Sequence, residues 1–304
     1  MKILSIFTAI MIIALLTLTG CQSAASQANT VIDDLDRSVT IKNVPQRIIS
    51  LSPNTTEIVY ALGLDDRLVG VTTFCNYPEV AKDKPKVSEY SNIDMEKVVS
   101  AKPDLILAST IHKSDAIPAF EKLNIAVLTV EPETVDGTIR DIELLGRICG
   151  KTQQAVALVS GLRERIRAIT DKTDQLTLTG SQKPRVFFLT WHDPLWTAGS
   201  ATVIDELISK AGGFNIAADL SGHSQIDLES VIERNPQIIF VMSSMGEQAT
   251  SYNYILEEPR FQATAALKDD QVYKLDSDIF GRTTPRLVDG LETMAKMIHP
   301  EIFK

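Results

Sequence analysis

From residue 47 onward, short runs rich in β-branched residues alternate with stretches whose apolar positions recur every three or four residues. The runs 47–51, 68–72, 105–108 and 126–130 read as strands, and 55–62, 95–101, 114–123 and 138–149 as helices. Such alternation predicts a mostly parallel sheet covered on both faces. The longest helical pattern follows Gly150. Ala155, Val159, Leu162, Ile166 and Ile169 recur at spacings of three and four, and Leu176 follows after a wider step. Thr152 is the expected N-cap. A helix over 153–175 would be roughly 35 Å long, enough to cross between two lobes. Residues 177–184 break the pattern. Strands then follow at 186–190, 238–242 and 271–275, and helices at 203–211, 228–234 and 285–298. The expected fold is α/β: two Rossmann-like lobes with mostly parallel sheets, over 36–151 and 177–304, joined by a single long α-helix over 152–176.

An internal repeat supports two lobes. Residues 92–107 and 225–240 align at a constant offset of 133, with identities at Ile93/Ile226, Asp94/Asp227, Glu96/Glu229, Val98/Val231, Pro103/Pro236 and Ile106/Ile239. Each copy predicts an Asp-capped short helix, a stop at proline and a buried strand. Glu96 and Glu229 fall in the first turn, where the helix dipole favours an anion. One acid at the same place on each lobe suits a pair of charges presented to a partner.

One segment stands apart. Ile3 to Leu18 are almost continuously apolar, with Lys2 before them and Thr19-Gly20-Cys21 after. The run is too short for a comfortable membrane span and has the form of a secretory signal. It resembles a bacterial lipoprotein signal, which makes 1–20 the signal peptide, Cys21 the lipidated residue and 21–35 a flexible tether. The protein is then extracytoplasmic, held to the membrane through the lipid on Cys21, away from ATP and nicotinamide pools. The remaining cysteines, Cys75 and Cys149, fit either a disulfide or two buried thiols in that oxidising setting. Apolar residues make up 44% of the 304 and charged residues 23%, which excludes wholesale disorder. The formal charge of −9 gives no reason to expect nucleic acid.

Few motifs carry chemistry. Gly146 to Thr152 imitates a phosphate loop, but Leu145 stands where its first glycine belongs. The sequence Gly-x-Gly-x-x-Gly, a nucleophile elbow and His-Glu-x-x-His are absent. His112, His192, His223 and His299 are not spaced as ligand pairs, so no metal site or cofactor is expected. His192 and His223 fall at strand ends, where open α/β sheets place ligands. Aromatic residues gather in loops after strands: Phe74 and Tyr77, Tyr90, and both tryptophans, Trp191 and Trp196. Rigid rings at a cleft mouth suit a large flat or apolar ligand. Arg282 and Arg286 flank the start of the last helix and are candidates for an acidic or amide-rich ligand, or for a local carboxylate.

Several segments resemble one family, the extracytoplasmic substrate-binding proteins of ABC importers for vitamin B12 and ferric siderophores. They are 44–57 (Val-Pro-Gln-Arg-Ile-Ile-Ser-Leu-Ser-Pro-Asn-Thr-Thr-Glu), 63–72, Asn76-Tyr77-Pro78, 102–106, 191–199 and Ala211-Gly212-Gly213. The resemblance implies a ligand held between two lobes, modest closure, and docking on a dimeric permease, with its cytoplasmic ATPase, through one acid per lobe. The matching acids are Glu96 and Glu229. Asn-Tyr-Pro and the Trp-His-Asp-Pro-Leu-Trp segment resemble the cobalamin branch, which implies a small-molecule corrinoid ligand. Phe74, Tyr90, Trp191, Trp196, His223 and Arg282 are then the expected contacts. Ser109 and His223 depart from the pattern, standing where that branch carries tryptophan. A ferric siderophore or haem is the alternative ligand. A secreted hydrolase built on Ser52, His192 and Asp193 is a distant alternative, and no enzyme activity is expected.

Overall fold

The structure, a computed structural model, describes residues 29–89, 92–178, 182–243 and 250–303. The expected signal peptide, Cys21 and Tyr90 lie outside the described residues. The described chain opens with an antiparallel hairpin of β1 (Asn29–Ile32) and β2 (Ser38–Ile41). This corrects the expectation of a tether through residue 35. Val31 and Val39 point into the core, and the turn carboxylate of Asp33 accepts the Thr129 backbone N–H.

The first lobe is built as expected. It runs β3 (Ile48–Ser50), α1 (Pro53–Ala61), β4 (Leu68–Thr72), β5 (Lys86–Ser88), α2 (Met95–Ser100), β6 (Leu105–Ala108), α3 (Ala116–Lys122), β7 (Ala126–Thr129) and α4 (Val135–Ile148). All five strands from β3 to β7 are parallel, in the order β5-β4-β3-β6-β7. Helices cover both faces, so β6 is buried along its whole length, as its unbroken Leu-Ile-Leu-Ala predicts. Helix α4 starts earlier than periodicity suggests because the Thr134 hydroxyl caps it, accepting from Gly137 N–H.

Helix α5 (Thr152–Asp174) is the long crossing helix. Thr152 is its first residue and not its cap; Lys151 precedes it with no side-chain cap. Ala155, Val159, Leu162 and Ile169 are buried, as their spacing requires. A Cβ on Gly146 would stand 2.3 Å from Ala155 Cβ, so the glycine lets α4 and α5 pack closely. One apolar cluster continues from Leu145 and Val159 to Ile208 and Met294, joining both lobes through α5.

The second lobe follows as β8 (Arg185–His192), β9 (Leu195–Ala198), α6 (Val203–Lys210), β10 (Phe214–Asn215), β11 (His223–Gln225), α7 (Leu228–Arg234), β12 (Ile238–Ser243), α8 (Thr250–Glu257), α9 (Ala265–Lys268), β13 (Val272–Asp276), α10 (Ser277–Phe280) and α11 (Leu287–Ile298). Its sheet runs β11-β9-β8-β12-β13, with β10 beside β8. Strands β8, β10, β12 and β13 are parallel, and the edge pair β9 and β11 is antiparallel.

The repeat has the expected geometry. Asp94 caps α2 by accepting Lys97 N–H at 3.0 Å, and Asp227 caps α7 by accepting Ser230 N–H at 2.7 Å. Buried strands β6 and β12 come next in each copy.

Of the two alternatives for Cys75 and Cys149, the structure has the second: both thiols are free and buried. They belong to opposite ends of β4. Cys75 follows the strand, and the hydroxyls of Thr56 and Thr72 lie 3.1 and 3.2 Å from its sulfur. The Cys149 carbonyl accepts from Arg67, which precedes the strand. Five strand residues span roughly 16 Å, far beyond disulfide reach. Burial pushes the Cys149 thiol up to about 12, keeping it protonated.

Candidate functional site

In the first lobe β3 and β6 are neighbours, and the chain leaves them in opposite directions across the sheet. Open α/β sheets form a crevice at the carboxyl ends of such a pair. A cavity of about 530 Å³ lies there, between the lobes. The first lobe contributes Asn54 after β3, Thr110 after β6, and Glu131 and Glu133 after β7. Thr190 of β8, Met242 of β12, His223 and Thr283 are among the second lobe's contributions. Its acids are Glu131 and Glu133, and no lysine or arginine lines it among the described residues.

A buried ionic network closes the lobes behind this cavity. Glu57, on α1, is nearly inaccessible, with its side chain 2% exposed. Arg286 donates to both of its oxygens, at 2.6 and 2.8 Å, and Arg282 donates to it at 3.1 Å. Arg282 also donates to Asn76 Oδ1 at 2.8 Å and to Asp278 Oδ1 at 2.5 Å. Asn76 returns a bond to Asp278 at 2.6 Å, and Asn54 donates to Thr283 Oγ1 at 3.1 Å. The Arg286 guanidinium also sits 4.0 Å from the Tyr77 ring centre. The Glu57 carboxylate raises the Arg286 guanidinium further above its ordinary range.

The sequence candidates divide accordingly. His223 lines the cavity. Arg282 does not: of the alternatives open for the two arginines, a ligand or a carboxylate, both take the carboxylate. Phe74 is 54% exposed beyond β4 and is not among the lining residues. Trp191 and Trp196 are not loop residues but partners at the end of the β8–β9 hairpin. Trp191 is exposed, donates to the Asp193 carbonyl and stands 4.8 Å from the His192 ring. Neither tryptophan lines the cavity. The hydrolase candidates are also dispersed. Ser52 caps α1, whereas His192 Nδ1 meets Ser251 at 3.0 Å. Among the described residues no cluster of three His, Cys, Asp or Glu could hold a metal.

Several lining residues escape the sequence reading: Asn54, Thr110, Glu131, Glu133 and Thr283. Their one legible signal is position, since the first four lie just beyond strands of the first sheet. Glu131 is fixed locally, accepting from Thr110 N–H at 2.6 Å and from its hydroxyl at 2.5 Å, while its own N–H donates to Asp34.

The two repeat acids are both exposed on α2 and α7. They are not equivalent. Glu229 pairs with Arg260 at 2.9 Å, and Arg260 also binds Glu258. Glu96 makes no ion pair among the described residues.

Comparison with known proteins gives a consistent outcome. A family model described as periplasmic binding protein matches residues 48–279. An uncharacterized ABC transporter substrate-binding lipoprotein of Bacillus subtilis, YvrC, is 33% identical, over 97% of this chain and 97% of that protein. A vitamin B12-binding protein of Vibrio cholerae is 30% identical, over 81% of this chain and 87% of that protein. Among solved structures, a possible iron-binding periplasmic solute-binding protein of Staphylococcus epidermidis superposes with a TM-score of 0.73. It is 28% identical and covers 84% of this chain and 100% of that one.

Proposed function

The chain belongs to the periplasmic binding protein family, and we propose that it captures a corrinoid, cobalamin or a close relative, in the interlobe cleft. It is a solute-binding protein of the ABC-importer class and not an enzyme. The observation that carries the ligand reading is the pairing of Arg282 and Arg286 with Glu57 and Asp278. It leaves the cleft with carboxylates and neutral polar groups. An anionic ferric siderophore, or a haem with two propionates, would meet no cation there and would lose its hydration uncompensated. A corrinoid presents neutral amides around its rim, which asparagine, threonine and histidine side chains can bind. The name of the Vibrio cholerae relative supports the same choice.

Titration of the purified, folded protein with cyanocobalamin by calorimetry tests this reading. One-site binding at micromolar concentration or tighter is expected. Heat with haem or a ferric siderophore, and none with cyanocobalamin, would replace it.

Delivery follows from the same assignment. The lipid on Cys21 holds the receptor near its permease dimer and raises the effective concentration; the name of the Bacillus subtilis relative, a lipoprotein, supports the anchor. Glu96 and Glu229 dock on the permease, and the cytoplasmic ATPase on other chains supplies the energy. The Glu96→Ala, Glu229→Ala double variant should leave ligand affinity within about twofold and lower transport by about tenfold or more. Loss of ligand binding in that variant would move both residues out of the docking role. Arg260 must release or share Glu229 for that contact, so Arg260→Ala should not impair docking.

A further inference from the structure

Two charges at the cleft are left without a countercharge. Among the described residues the Glu131 carboxylate is oriented by hydrogen bonds from Thr110 alone, and neither Glu131 nor Glu133 makes an ion pair. Every nearby arginine that bridges the lobes is spent elsewhere: Arg282 and Arg286 carry two positive charges, and Glu57 and Asp278 carry two negative charges. Arg140 binds Asp34 and Asp141, and Arg37, which also reaches Thr129, binds Asp33 and Glu121. The network behind the cavity is therefore neutral, and the cavity wall itself is negative.

We propose that Glu131 and Glu133 are specificity-determining residues that make this cleft select a corrinoid with net positive charge over a neutral one. The proposal rests on the corrinoid reading above and deepens it. Corrinoids differ in charge more than in shape at the corrin ring. Cyanocobalamin is neutral overall, because the corrin, the cyanide and the nucleotide phosphate balance the cobalt. Aquacyanocobinamide lacks the nucleotide and its phosphate, and it is a monocation. A carboxylate pair at a partly enclosed wall attracts a cation within several ångströms more strongly than at an open surface, and salt weakens the attraction. Fixing Glu131 through Thr110 places that charge before the ligand arrives, so little ordering is required on binding.

The test compares Kd for cyanocobalamin and aquacyanocobinamide in the wild type and in the Glu131→Gln, Glu133→Gln double variant, at low and high salt. Glutamine keeps the size and the acceptor for Thr110. The variant should lose about tenfold in affinity for the cation at low salt. Its affinity for cyanocobalamin should change by less than about twofold, and high salt should erase the difference between the two proteins. Glu133→Gln alone, whose side chain makes no hydrogen bond among the described residues, should show part of the same effect. Equal changes for both ligands, or none for either, would overturn the assignment while leaving corrinoid binding in place. Failure of the wild type to bind either corrinoid would remove the underlying reading and this proposal with it.

Discussion

Replacing Glu57 by glutamine is expected to lower the unfolding free energy by about 3–5 kcal/mol, the range found when one partner of a buried ion pair is removed. The substitution keeps the shape and leaves Arg282 and Arg286 as buried cations, with Asp278 as the remaining carboxylate in contact. Their side chains are only 11% and 16% exposed, so water cannot take over the role of the carboxylate. Urea unfolding measures the effect. Asn54→Ala is the control, because it removes one neutral bond across the same boundary, to Thr283, and should cost about 1 kcal/mol. A loss below about 1 kcal/mol in Glu57→Gln would mean that the lobes do not depend on this network. The interface would then be held by the shared apolar cluster alone.

The second large effect concerns pH. Asp141, on α4, is buried, and its Oδ2 has no hydrogen-bond partner among the described residues. Burial, and then the neighbouring Asp34 carboxylate, raise the Asp141 carboxyl to about 7. The folded chain therefore holds a proton that the unfolded chain releases near pH 4. Stability falls as pH rises through the interval from about 4 to about 7, and the penalty is complete above it. Its size is of order 2–4 kcal/mol. Asp141→Asn supplies a permanently neutral group. It should flatten the stability profile over that interval and be more stable than the wild type at pH 8. Parallel profiles for the two proteins would exclude Asp141 as the source. The same substitution should also steady the cleft, because Asp34 holds the backbone of Glu131.

How far the sequence reaches can be judged from particular elements. Strand β4 and helix α7 have the bounds that periodicity predicts, because each is a strong local pattern ended by a clear stop. Strands β1, β9 and β11 were not legible. They are short edge strands, polar or interrupted, as His223-Ser224-Gln225 shows, and they exist only through a partner. Trp191 and Trp196 read as loop residues in the sequence, with Pro194 interrupting the run between them, whereas the hairpin pairs them. Arg282 illustrates a different limit. Its partner Glu57 lies 225 residues away, and nothing local distinguishes an arginine that meets a ligand from one that meets a carboxylate. Glu96 and Glu229 are legible because the repeat states them twice.

The two sheets are also separable in time. Every strand of the first lies between Ile48 and Thr129, and every strand of the second between Arg185 and Asp276, with one passage of the chain between them. Neither sheet borrows a strand from the other half. A polypeptide that emerges with its N-terminus first can complete the first sheet while Arg185 and all that follows are still inside the channel that delivers it. With Cys75 and Cys149 both free, that early half needs no oxidant to join them either. The order of emergence and the order of assembly thus coincide along this chain.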